Sequence, residues 1–353
     1  MSDPVEELLS KPASFLDDSG PFGDIAISTR IRLARNLAGR PFPCGATLQE
    51  KSESCQMVCD AVREGKVLDF DSVHREFELE ELSQLDREVL FERRLASAEF
   101  IADPAAKMLL VCPAERCSIM VNEEDLIRMQ SIRPGFQLPE VYSEINVIDN
   151  ALGEKLDYAF DEQTGFLTSC PTNAGTGMRA SVMLHLPALV LSGQINATIQ
   201  GINQLHLAVR GIFGEGTDFL GNFFQISNQY TLGESEEKTL ANLALVIRQL
   251  ILHEKRSRIK LLERDRHSVL DHIGRAYGVL RHSYKLSGDE ALKSLSALRL
   301  GVDLGFFDKL NIAKLNSLFI AVGPAHLQKS AGRTLNETER DIARAELCRN
   351  TLK

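Results

Sequence analysis

The charge of this 353-residue chain changes sign near residue 254, and its secondary-structure pattern changes at the same place. Residues 1–254 hold 21 Lys+Arg against 38 Asp+Glu, a net of −17, whereas residues 255–353 hold 19 against 11, a net of +8. Before the seam, apolar residues recur with both helix and strand periods. After it nearly every segment reads as helix, punctuated at Ser287-Gly288, Gly301, Gly305 and Gly323-Pro324. An α+β body followed by an all-α domain satisfies both changes. The boundaries this predicts are a mobile polar lead-in at 1–21, a body at 22–254 and a helical region at 255–353. Within the body, helices are expected over 45–64, 78–97, 137–158 and from Ser235 onward. Strands are expected over 107–112, 117–121 and 165–169 and near 204–210 and 223–229.

Composition narrows the function classes. The overall net charge of −9 disfavours broad nucleic-acid binding. Seven Cys, an odd number with no C-x-x-C, give neither a disulfide framework nor a zinc ribbon. No secretory signal is visible at the N-terminus and no apolar run approaches a membrane span, so a reducing cytoplasm is expected. The P-loop, the protein-kinase signature set, H-E-x-x-H and G-x-S-x-G are all absent.

Four segments carry chemistry instead. In Ile27-Ser-Thr-Arg-Ile-Arg-Leu-Ala-Arg-Asn, Arg30 and Arg32 alternate with Ile31, so on a strand they share a face and present two forks to phosphate oxygens. Alone, this reads more readily as a solvated basic stripe. Val121-Asn-Glu-Glu-Asp-Leu-Ile-Arg128 reads as the opening of a short helix, with Glu124 and Arg128 paired at i,i+4. Cys170-Pro-Thr-Asn-Ala-Gly-Thr-Gly-Met-Arg179 is a loop of small polar residues that offers N–H groups and hydroxyls to an anion. Val209-Arg-Gly-Ile-Phe-Gly-Glu-Gly-Thr217 surrounds Arg210 and Glu215 with glycines.

Together, in this order, the S-T-R-I-R, N-E-E-D, C-P-T-N-x-G-T-G-x-R-A-S and R-G-x-x-G-E segments closely resemble the guanidino (phosphagen) kinases, and within them the bacterial protein-arginine kinases of the McsB type. The resemblance implies an α+β catalytic domain with a mainly antiparallel sheet flanked by helices, and transfer of the γ-phosphoryl of ATP, with Mg²⁺, to a guanidinium nitrogen. It implies an arginine cage of Arg30, Arg32, Arg128, Arg179 and Arg210 around the phosphates. The nucleotide-binding stretches become Ser28, Thr29, Arg30, Ile31 and Arg32, then Arg128, then Arg179, Ala180, Ser181, Val182 and Met183, then Arg210, Gly211, Ile212, Phe213, Gly214 and Glu215. Glu124 and Glu215 become the pair that grips the acceptor, with Glu124 the base, and the Cys170 thiolate orients the guanidinium. No residue is assigned as a protein ligand to metal. One departure stands out: the family commonly has His after N-E-E-D, and this chain has Leu126.

Only 27 residues precede Ser28, too few for the helical domain that small-substrate phosphagen kinases carry there, so an arginine on a polypeptide is the expected acceptor. The helical C-terminus resembles that of the McsB subtype. Its Arg340-Asp-Ile-Ala-Arg-Ala345 motif implies an allosteric phosphoarginine pocket of Arg340, Asp341, Arg344 and Ala345; without the resemblance it reads as a salt-bridged surface helix. The subtype also implies a homodimer or higher homo-oligomer, a McsA-like activator, a Clp ATPase that receives the marked proteins, and a role in stress response. No membrane or nucleic-acid partner is expected. The rival readings are a kinase of a small free guanidino compound and a scaffold that reads phosphoarginine without turning over.

Overall fold

The computed structural model describes residues 4–9, 11–17, 20–68, 73–211, 219–307 and 310–353. Its centre is an eight-stranded antiparallel sheet in the order β2-β3-β4-β5-β1-β8-β10-β9. The strands are β1 (Ala26–Arg35), β2 (Arg75–Glu78), β3 (Met108–Val111), β4 (Cys117–Val121), β5 (Ile127–Pro134), β8 (Met178–His185), β9 (Leu207–Arg210) and β10 (Phe223–Asn228); β6 (Phe160–Asp161) and β7 (Gly165–Phe166) form a separate small hairpin. The body's helices are α1 (Pro4–Leu9), α2 (Leu48–Gly65), α3 (Gln84–Glu92), α4 (Ala98–Ala102), α5 (Leu138–Gly153), α6 (Pro187–Leu191) and α7 (Ile195–Gln204). The long α8 (Glu236–His282) leads to α9 (Gly288–Asp303), α10 (Ile312–Ala321), α11 (Pro324–Ser330) and α12 (Glu337–Thr351).

Strand alternation assigns the two sheet faces. Ile31 and Leu33 of β1, Met129 of β5 and Val182 of β8 enter the main apolar core with Val58, Ile145 and Ile247 from α2, α5 and α8. The opposite face, which carries Arg30 and Arg32, is apolar on both sides of the arginines. Toward one edge Phe77, Leu109 and Met120 pack with Val89 and Leu90 of α3. At the other end Ile132 and Phe223 join Leu292, Leu295 and Phe319 in a second cluster beneath α9 and α10. The charge seam at residue 254 falls inside continuous helix: Glu254 of α8 is fully buried and accepts the backbone N–H groups of Ala188 and Leu189, each at 3.0 Å. The non-helical break in α8 comes later, at Asp265.

Three local expectations are corrected. The lead-in is not loose: Val5 and Leu8 of α1 are buried under a third cluster built on α3 and β3, and Phe15 and Leu16 reach the second. Of the helix expected over 78–97 only α3 forms: Glu78 ends β2, Ser83 caps α3, and Ser97 caps α4, which begins at Ala98. The N-E-E-D segment does not open a helix. Asn122 adopts φ +63 and its N–H closes on the Leu126 carbonyl at 2.9 Å, making the turn between β4 and β5, so Arg128 sits on a strand. Among the described residues, no helix is long and apolar enough to cross a membrane.

Candidate active site

Register places the arginines side by side. Arg32 lies opposite Gln130 of β5 and Arg179 of β8; Arg30 lies opposite Ile132 and Ser181. Arg128 faces Ala34, two residues along β1 from Arg32, and Arg210 faces Gln225, whose other neighbour is Met183. Directly opposed residues project to the same face, so all five guanidiniums converge on one surface. The same alternation turns Thr29, Ile31, Ala180 and Val182 toward the core. Their side chains stand away from the arginines, and Thr29 instead bonds the Gly135 carbonyl at 2.7 Å. Ser28, Ser181 and Met183 share the arginine face.

Around Arg30 and Arg32, among the described residues, cations outnumber counter-charges. Burial, then the neighbouring charges of Arg94, Arg128, Arg179 and Arg210, push Arg30 down to about 9. Burial and the charges of Arg30, Arg128 and Arg179 hold Arg32 well below the ordinary guanidinium range. Among the described residues its buried Nε has no hydrogen-bond partner. An orphaned donor amid mutually repelling cations is the complement of a polyanion. Arg128 has a counter-ion of its own. Although burial opposes its charge, the Glu123 carboxylate at 2.5 Å raises it. The partner that sequence spacing offered, Glu124, is displaced from that role because the segment is a turn.

Glu124 is thereby left exposed beside the arginines. Partial burial, reinforced by Asp125, raises its carboxyl above the ordinary value. The Cys170 loop is sewn to it: Ser169 Oγ donates to the Glu124 carbonyl at 2.7 Å, the Ser169 N–H to Asp125 Oδ1 at 2.7 Å, and Asn173 Nδ2 to Glu124 Oε2 at 3.5 Å. Cys170 is half-buried, its Sγ 2.9 Å from Thr172 Oγ1. Gly177 ends the loop at φ +65, where a Cβ would meet the Ala34 carbonyl at 2.7 Å and the Arg35 guanidinium at 2.6 Å; only glycine lets the loop run this close to β1. Leu126 is buried in the main core, its N–H held by Asn36 Oδ1 at 2.9 Å. Gly211 is buried at the end of β9, while Ile212, Phe213, Gly214 and Glu215 lie outside the described residues.

Sequence reasoning missed Glu123, Asn36 and Arg94. Arg94 follows α3 in a left-handed conformation (φ +64) and reaches the cage from outside the sheet, where burial lowers it to about 10. No motif marks it; its place depends on a turn. In the C-terminal region, Asn336 and Glu339 form a capping box at the start of α12. Arg344 is buried and its guanidinium is committed: it donates to the carbonyls of Val322 at 2.9 Å and Leu286 at 2.7 Å and to Asp341 at 2.6 Å. Ala345 is buried beneath it, whereas Arg340 and Asp341 stay partly exposed.

An antiparallel sheet with one arginine-lined face and a carboxylate turn at its edge defines an ATP:guanido phosphotransferase catalytic domain, and the comparisons agree. The family model described as ATP:guanido phosphotransferase, C-terminal catalytic domain, matches residues 55–257, and that of the protein-arginine kinase McsB C-terminal domain matches 266–353. A protein-arginine kinase of Syntrophomonas wolfei is 46% identical over 331 residues, covering 94% of this chain and 92% of its own length; one of Halothermothrix orenii is 42% identical over 350 residues, covering 99% of each. Among solved structures, the duplicated taurocyamine kinase of Schistosoma mansoni with bound transition state analog components aligns at TM-score 0.61 and 26% identity, over 70% of this chain and 35% of that one. The chain thus spans about a third of that duplicated protein. Lombricine kinase aligns at TM-score 0.58 and 24% identity over 70% of each chain, a likeness of fold. The chain belongs to the protein-arginine kinase family of ATP:guanido phosphotransferases.

Proposed function

We propose that this protein transfers the γ-phosphoryl group of ATP to arginine side chains of other proteins. The observation that carries the reading is the exposed Glu124, its carboxyl raised by partial burial, at the edge of a buried arginine face whose Arg32 Nε has no acceptor among the described residues. The relatives' names and the match of the C-terminal region favour arginine in proteins over a small guanidine.

Arg30, Arg32, Arg128, Arg179 and Arg210 bind the triphosphate and offset the charge that develops on the transferred group. Glu124 holds the acceptor guanidinium in line. As its nitrogen bonds to the γ-phosphorus, the bond from phosphorus to the β–γ bridging oxygen breaks, ADP leaves, and the proton lost by that nitrogen passes to the Glu124 carboxylate. Cys170, on the loop sewn to Glu124, orients the guanidinium, and Glu215 is its second carboxylate. Among the described residues no cluster of three or more His, Cys, Asp or Glu is arranged to hold a metal. Mg²⁺ would accompany the nucleotide and neutralise phosphate charge there. On the same reading, Arg340 and Asp341 recognise phosphoarginine as an allosteric ligand, with Arg344 and Ala345 as the buried frame beneath. The protein acts as a homo-oligomer with a McsA-like activator and marks proteins for a Clp protease.

Incubation with ATP, Mg²⁺ and a casein-like protein, followed by phosphosite mapping without acid steps, is expected to yield phosphoarginine. Its absence, with and without an activator protein, overturns the reading; efficient turnover of free arginine alone replaces it with the small-guanidine kinase. A base must be ionised, so its raised pKa places the acid limb of kcat/KM above the ordinary carboxylate range. Asp125→Asn retains an acceptor oxygen for Asn36 and Ser169 and removes one like charge. The acid limb should move to lower pH without returning fully, because burial is the larger cause. An unmoved limb excludes Glu124 as the group that titrates.

A further inference from the structure

We infer that the C-terminal helices form a wall of the nucleoside half of the nucleotide site, so that the base and ribose of ATP are held between the catalytic sheet and α9–α11. This rests on the arginine face being the phosphate site. Beside Arg30 and Arg94, on the same face of the sheet, lies a cavity of about 340 Å³. Its floor is sheet, with Ser28, Ser181 and Met183; its opposite wall is Leu292 of α9, Ile320 of α10 and Val322 before α11. Ligand pockets start at about 300 Å³ and combine apolar walls with a few convergent polar groups. Here those groups are the Ser28 and Ser181 hydroxyls, Gln225, and the carboxylates of Glu92 and Asp289 on the helical side, with Arg30 and Arg94 at the phosphate end.

The arginines stand between the apolar cluster under α3 and the one beneath α9 and α10, and this space opens at the second of these. Among the described residues it offers a triphosphate on the arginines an apolar direction for its ring system. The helical wall lies outside the region matched by the catalytic-domain family model, which ends at residue 257. It is held to the body where Glu92 of α3 accepts the N–H groups of Ala325 at 2.8 Å and His326 at 3.0 Å, and braced from within the C-terminal region, where Arg344 of α12 donates to the Val322 carbonyl. A wall this firmly held makes nucleotide affinity depend on how the C-terminal region is seated.

The test uses the full chain and two probes, ATP and inorganic tripolyphosphate, with binding followed by calorimetry. Ile320→Trp, at a partly exposed wall position, fills the cavity from the C-terminal side. It is expected to weaken ATP binding at least about tenfold, the loss of one well-made contact surface, and to leave tripolyphosphate unchanged. Leu292→Phe is the second, milder filling, and a melting curve verifies that each variant is folded. Parent-like ATP affinity in both folded variants overturns the inference while leaving the phosphate site intact. Failure of the parent protein to bind tripolyphosphate overturns the arginine-cage reading on which it rests. Equal loss of both probes in a folded variant also refutes it, because a nucleoside wall does not touch the phosphates.

Discussion

Glu124→Gln is expected to lower the rate of protein arginine phosphorylation by about 10²–10⁴-fold, the usual contribution of a positioned base, while ATP binding stays near the parent value. Three consecutive acids compete for the role, and their surroundings decide. Glu123 is buried and bound to Arg128, which holds its carboxyl below the ordinary range despite burial; it is a counter-ion and a poor proton acceptor. Asp125 is buried, and one of its oxygens accepts the Asn36 amide at 2.8 Å and the Ser169 N–H at 2.7 Å, so it builds the turn. Glu124 alone of the three is exposed and raised. Gln preserves its size and an acceptor oxygen but takes no proton. Phosphoarginine formation, measured in single turnover against calorimetric ATP affinity, separates the two effects. Full activity of the variant removes Glu124 as the base.

The same three residues show what the sequence reveals and what it hides. Alternation in β1 makes the shared face of Arg30 and Arg32 legible, because a strand has a fixed two-residue period. Which residues lie beside them is a matter of register, set by turns remote in sequence, so the opposition of Arg32 and Arg179 is invisible until β8 is aligned. Helical spacing of Glu124 and Arg128 suggests a pair. A left-handed Asn122 overrides that pattern and hands Arg128 to Glu123. Arg94 is harder still: its role depends on the chain turning back after α3. The charge seam marks where strand gives way to helix in composition, yet α8 crosses it without interruption, since a long amphipathic helix serves both cores.

The second large effect is at Arg32. Removing a guanidinium that stabilises a transferring phosphoryl group costs about 10³–10⁵ in rate, and Arg32→Gln is expected to fall in that range. Arg32→Lys should recover little. An ammonium is a point charge, and the orphaned Nε and its fork are what a phosphate oxygen would meet. Stability should move the other way. Burial and three neighbouring guanidiniums disfavour the charged form of Arg32 in the folded protein, outweighing the help from Glu123. A neutral Gln relieves that repulsion, so the nucleotide-free variant should melt at a higher temperature than the parent. ATP, which supplies the missing counter-charge, should raise the melting temperature of the parent more than that of the variant. An active-site residue that costs stability until its ligand arrives is the pattern expected where function opposes folding. Arg35 supplies the contrast three residues along β1. It is bonded to Asp149 at 2.6 Å and its guanidinium lies 3.5 Å from the Phe166 ring centroid, so Arg35→Gln should lower the melting temperature, with or without nucleotide. If Arg32→Gln also melts lower than the parent without ATP, Arg32 is a structural arginine like its neighbour, and the face it stands on is not poised for phosphate.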